Sequence, residues 1–135
     1  MSSIRMLGVS LVLACGAQFA QVACAAPHAV VTRLMQKDVA ELPGRELLMV
    51  SVEYPPGSVD PVHRHDAYAL VYVLEGSIVM KLKGGKEVTL TRGQTFYEGP
   101  NDVHTVGRNA SRTKPAKFVV VFLKKKGAPV LLPAS

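Results

Sequence analysis

Residues 62–77, VHRHDAYALVYVLEGS, decide how the chain folds. Two histidines, His63 and His65, stand one residue apart, and a run of tyrosine, valine and leucine follows and stops at Glu75-Gly76. A short β-forming run closed by a turn signal reads as a strand, because a helix of that length would need a 3.6-residue apolar period that is absent here. Side chains two apart share one face of an extended chain, so both imidazoles point one way and Arg64 the other. Alone, such a pair suits a protein surface as well as it suits a metal, and it needs a third partner before it means chemistry.

Working outward, the same texture continues. Apolar or alternating runs recur about every ten residues, which predicts strands over 30–34, 46–54, 62–65, 68–74, 77–83, 87–90, 95–97, 103–108 and 117–123. Between them, Pro55-Pro56-Gly57, Glu75-Gly76, Gly84-Gly85, Arg92-Gly93 and Gly99-Pro100-Asn101 supply the fixed or positive φ angles of tight turns. Nine short strands expose many unpaired edges unless they close, so an all-β barrel or double-sheet jelly roll is expected.

The third partner is His104, which follows the Gly99-Pro100-Asn101 turn at the head of another strand. Three neutral imidazoles suit iron, manganese, zinc, copper or nickel and leave coordination positions open for water or a substrate. Gly57-x5-His63-x-His65-x3-Ala69-x6-Gly76 resembles the first motif of the cupins, Gly-x5-His-x-His-x3-4-Glu-x6-Gly. Gly93-x5-Gly99-Pro100-Asn101-x2-His104 is similar to their second motif, Gly-x5-Pro-x-Gly-x2-His-x3-Asn, with Asn109 one residue late. The resemblance spans about residues 46–123 and implies the cupin double-stranded β-helix, a jelly-roll barrel.

It also implies metal ligands at His63, His65 and His104, and a lost ligand at Ala69, where the family carries glutamate. Three readings of that loss stay open. The leading one is a three-histidine site like that of the thiol dioxygenases among the cupins, giving a metal-dependent, oxygenase-type enzyme on a small organic substrate. In a second, Glu98 or Tyr68 fills the gap, although Tyr68 should face away from Ala69. In a third, no metal binds, and the protein is a non-catalytic module that captures or senses a small ligand.

Asp66 can orient an imidazole or merely form a turn, and Tyr68, Tyr72, Tyr97 and Glu98 are candidates for the pocket or its surroundings. Tyr97-Glu98 reads better as a surface pair. The replacement of the second motif's glycine by Asn101 is tolerable because asparagine accepts left-handed backbone. His28 near a new amino terminus suggests a copper site, but Pro27 lacks the amide that such a site deprotonates. Gly84-Gly85-Lys86 lacks the remaining residues of a phosphate loop and reads as a hairpin.

Residues 1–26 read as a secretory signal peptide: Arg5, the apolar stretch MLGVSLVLA at 6–14, and Ala23-Cys24-Ala25 as a small-x-small cleavage site. The apolar stretch is too short to span a bilayer, and acylation at Cys15 is the minor alternative. Cleavage places the mature protein in the periplasm or outside the cell and removes both cysteines, leaving neither disulfide nor thiol nucleophile. An N-terminal arm (27–45), a barrel (46–126) and a C-terminal tail (127–135) follow. The net charge of +6 is dispersed apart from Lys124-Lys125-Lys126, read as a solvated strand end, which gives nucleic acid no basic stripe to follow. Small single-domain cupins often pair through an N-terminal strand, so a homodimer is implied by the resemblance.

Overall fold

The computed structural model describes residues 25–134; most of the segment read as a signal peptide, with both cysteines, lies outside the described residues. No helix occurs among them. Ten strands do: β1 (Val30–Asp38), β2 (Arg45–Tyr54), β3 (His63–Arg64), β4 (Ala67–Glu75), β5 (Ser77–Leu82), β6 (Val88–Thr91), β7 (Thr95–Glu98), β8 (Val103–Asn109), β9 (Ala116–Lys125) and β10 (Leu132–Pro133). Each of the nine expected strands is present, and the tenth lies in what the sequence offered only as a tail.

Two five-stranded antiparallel sheets face each other, one ordered β1-β2-β9-β4-β7 and the other β10-β3-β8-β5-β6. Strand parity decides what lies between them. Along β4, Ala67, Ala69, Val71 and Val73 turn inward while Tyr68, Leu70 and Tyr72 turn to solvent. Val50, Val52, Ile78, Met80, Phe118, Val120 and Phe122 complete the core, and Tyr54 meets Phe118 edge to face at 5.0 Å. Each fully buried side chain of this kind contributes about 1.5–3 kcal/mol.

Two local expectations are corrected. Asn101 is not left-handed, since among the described residues only glycines have positive φ. The turn is instead tied by Asp102, whose carboxylate accepts from the Gly99 amide at 2.6 Å while its own amide donates to the Gly99 carbonyl. The lysine run is not uniformly solvated either. Lys124 pairs directly across from Glu46 in the ladder, and parity carries it into the interior. There its ammonium donates to Glu46 at 2.5 Å and to the Ala128 carbonyl at 2.7 Å, and Gln36 donates to the same carboxylate. Lys124 first, and then Gln36, hold the Glu46 carboxyl down at about 2.

The two turn glycines Gly76 and Gly84 both have positive φ but differ in surroundings. A Cβ at Gly76 would lie 2.6 Å from the Pro115 carbonyl oxygen, whereas one at Gly84 would meet nothing within 4 Å. Gly84→Ala should therefore cost only the left-handed backbone penalty, about 1–2 kcal/mol, and Gly76→Ala clearly more. Chemical denaturation of the two variants checks the difference.

Candidate metal centre

β3 is two residues long, yet it is held from both sides. β8 pairs with one edge and sets His63 directly opposite His104; β10 pairs with the other. His65 follows just past the strand, with its ring 5.0 Å from that of Phe122. The three buried imidazoles meet edge-on, the His63 ring lying 4.8 Å from that of His65 and 4.9 Å from that of His104.

Backbone carbonyls set the direction of two of these rings. His63 Nδ1 lies 2.8 Å from the Pro61 carbonyl and His65 Nδ1 2.5 Å from the Val130 carbonyl. A carbonyl only accepts, so Nδ1 of each ring is the donor and Nε2 is left facing the interior. His63 Nε2 is 3.3 Å from His104 Nδ1, while His104 Nε2 is buried with no partner.

Glu98, the last residue of β7 in the opposite sheet, completes the group. Its Oε2 lies 3.6 Å from His65 Nε2 and 3.7 Å from His104 Nδ1, too far for hydrogen bonds and close enough to share a cation. His63, Glu98 and His104 present ligand atoms within 4.8 Å of one another and can hold a metal ion. Three imidazoles with one carboxylate suit a divalent transition metal, with His104 turning Nδ1 toward Glu98.

The origin of the carboxylate is a matter of register. Ala69 is fully buried and stands directly across the ladder from Glu98, so the two side chains enter the barrel next to each other. The carboxyl absent at Ala69 is thus present one strand away. The expected surface pair Tyr97-Glu98 is split by parity: Tyr97 is 51% exposed and Glu98 only 4%. Tyr68 and Tyr72 also face outward and reach neither the histidines nor the cavity. Asp66 does not line the cavity, and the nitrogens it was to orient already bond to Pro61 and Val130.

The cavity beside the cluster has a volume of about 250 Å³. Its walls are largely apolar, with Val52, Met80, Phe118 and Phe122 among them, and His28, Val130 and Leu131 also contribute. Among the described residues, no lysine or arginine lines it. Two further polar residues that the sequence reading passed over do. Tyr54 donates its hydroxyl hydrogen to Asp60, and Gly107 leaves the space they need: a Cβ there would lie 3.1 Å from the Tyr54 oxygen, 3.2 Å from Asp60 Oδ2 and 3.0 Å from His104 Cε1. The only sequence signal for Asp60 was its place just ahead of the His63-x-His65 pair.

Burial sets the protonation of the cluster. It is the main cause that pushes the Glu98 carboxyl up to about 7, with Asp102 and Asp60 adding to it. Burial, then His63 and His65, pushes the His104 imidazole down to about 4. His65 is lowered by burial against the opposing effect of its bond to Val130, and Asp60 is raised by burial. At neutral pH the imidazoles of His65 and His104 are therefore uncharged and can act as ligands.

Comparison with known proteins agrees with this architecture. The family model for the cupin domain (Cupin_2) matches residues 50–122. No curated protein sequence matches the chain. Among solved structures, an oxalate oxidase in complex with the substrate analogue glycolate is 27% identical, with a TM-score of 0.58 over 77% of this chain and 54% of its own. A cupin domain from Bordetella pertussis Tohama I is 24% identical, with a TM-score of 0.58 over 75% of this chain and 98% of its own. The DMSP lyase DddQ from Ruegeria pomeroyi DSS-3 is 20% identical, with a TM-score of 0.56 over 64% of this chain. The chain spans only 42% of that lyase's length.

The raised Glu98 value has a measurable consequence in the metal-free protein. Because it lies above the ordinary 4.5, the folded chain holds this proton more tightly than the unfolded chain does. The carboxyl costs nothing below about 4.5, where both states carry the proton, and costs most above about 7, where both have lost it. Glu98→Gln should therefore stabilise the metal-free chain at pH 8, by about 3 kcal/mol, and change little at pH 4. Thermal midpoints of both proteins at the two pH values, with chelator present, check this.

Proposed function

Since this chain belongs to the cupin domain family, we propose that it is a metal-dependent enzyme oxidising a small organic molecule at a centre formed by His63, His65, His104 and Glu98. The observation that carries this reading is the Glu98 carboxylate, buried within 3.6–3.7 Å of two imidazoles at the register position facing Ala69. The bound metal, iron, manganese, zinc, copper or nickel, would supply a cationic centre with positions left for substrate and, for iron, manganese or copper, electron transfer to oxygen. The likeness to an oxalate oxidase favours oxidation over isomerisation or hydrolysis.

The chain's own groups have separate tasks. His63 and His65, with Nδ1 tied to carbonyls, turn Nε2 lone pairs inward without having to reorient. Glu98 must lose its proton when a cation arrives, so uptake strengthens as the pH rises through about 7. Asp60, fixed by Tyr54, is the carboxyl of the cavity outside the ligand set and would accept a proton from the substrate. The apolar walls keep bulk water from the reacting carbon. With no lysine or arginine in the lining, an anionic substrate would depend on the metal for its neutralisation.

The apolar walls also favour a second reading, a binding module for a small ligand with no turnover. In either case the setting is the periplasm or the cell exterior, reached through residues 1–26. The chain would work there as a homodimer joined through β1, all nine residues of which are exposed, Val30, Val31, Leu34 and Met35 among them.

Elemental analysis of the purified chain tests the centre. About one metal per chain is expected, lost in His63→Ala and in Glu98→Ala. Ala69→Glu placed in the Glu98→Ala background should restore part of it, because the two positions face each other across the ladder. Oxygen uptake with a panel of small hydroxy acids, oxo acids and thiols then identifies the reaction. A folded chain that takes up no metal at pH 8 would leave the binding module as the reading to pursue. Sedimentation velocity, with Leu34→Asp expected to shift dimer to monomer, tests the assembly.

A further inference from the structure

The last residues of the described chain are anchored by three different kinds of contact, two of which reach the centre. After Gly127 turns the chain with φ of 71°, the Ala128 carbonyl accepts from the buried Lys124 ammonium at 2.7 Å. Two residues on, Val130 packs against the core, and its carbonyl lies 2.5 Å from His65 Nδ1. Leu132 and Pro133 then pair as β10 with Arg64 and His63. One short segment therefore holds both the strand carrying His63 and the ring of His65.

We propose that residues 128–133 are a positioning strap for the metal centre, in which the Val130 carbonyl locks His65 with its proton on Nδ1 and aims Nε2 toward Glu98. A neutral imidazole can carry its proton on either nitrogen, and a buried acceptor facing one of them selects the tautomer and the ring orientation together. His63 receives the same service from Pro61, only two residues away, so its orientation is built into the local chain. His65 has no such local acceptor and takes one 65 residues downstream. The strap sits directly on a ligand residue, and Val130 and Leu131 also wall the cavity. Val130 is accordingly a positioning residue that acts through His65 by its backbone.

This rests on the metal reading above, and the test separates the two. In the full-length, metal-free protein labelled with 15N-histidine, His65 is expected to show a protonated Nδ1 and an unprotonated Nε2; the opposite tautomer would overturn the strap. A full-length variant with one glycine inserted between Ala128 and Pro129 keeps every side chain and shifts the Val130 carbonyl. That variant should show mixed His65 tautomers and bind Co2+ about 10–100-fold more weakly, with a changed visible spectrum.

In a His65→Ala background the same insertion should cost clearly less affinity, leaving only what β10 contributes through the strand of His63. An equal loss in both backgrounds, or an insertion that leaves tautomer and affinity unchanged, rejects the strap. The expected tautomer in a chain that takes up no Co2+ rejects the metal reading and leaves the strap standing.

Discussion

Four titratable side chains, His63, His65, His104 and Glu98, are packed together with nearly all of their surface buried, and among the described residues no lysine or arginine lines the cavity beside them. Ionising Glu98 or His104 there is costly, so the carboxyl keeps its proton to higher pH and His104 loses its own at lower pH. A divalent cation held by these residues would reverse the situation, since it would replace the carboxyl proton and accept imidazole lone pairs. The barrel's geometry serves this arrangement. β3 and β8 set two histidines opposite each other in the ladder, and β7 delivers the carboxylate from the other sheet.

A second buried polar group shows by contrast what an unfinished site looks like. Glu46 and Lys124 are also removed from solvent, but they neutralise each other, and Gln36, Gly127 and the Ala128 carbonyl take up remaining hydrogen-bonding capacity. That group is closed and holds β2, β9 and the following turn together. Around the histidines, by comparison, the His104 Nε2 atom has no partner, and the carboxylate sits beyond hydrogen-bond reach of its neighbours. Satisfied buried charge is consistent with architecture, and unsatisfied buried polarity marks a place for something else.

The strands were legible in the sequence because a period of two and glycine-bearing turns are local signals, and each of the nine expected runs appears as a strand. The two close histidines were legible for the same reason. Glu98 was harder: its parity is evident only when the register of β7 against β4 is known, and register is a long-range property set by the whole sheet. Tyr72 misled because an aromatic residue in a strand suits either face; Tyr68, expected to face away from Ala69, and Tyr97, expected at the surface, both turn outward. Asp60 and Val130 had no signal of their own. One acts through a turn beside the pocket, the other through a backbone carbonyl that any residue type would supply.

The distance along the chain between His65 and its carbonyl partner bears on how the protein is made. Pro61 leaves the ribosome just ahead of His63 and can orient that ring at once. His65 must wait for Val130, and the outer edge of β3 for Leu132 and Pro133. A polypeptide interrupted before Val130 would contain all three histidines and Glu98 and still lack the contact that orients one of them.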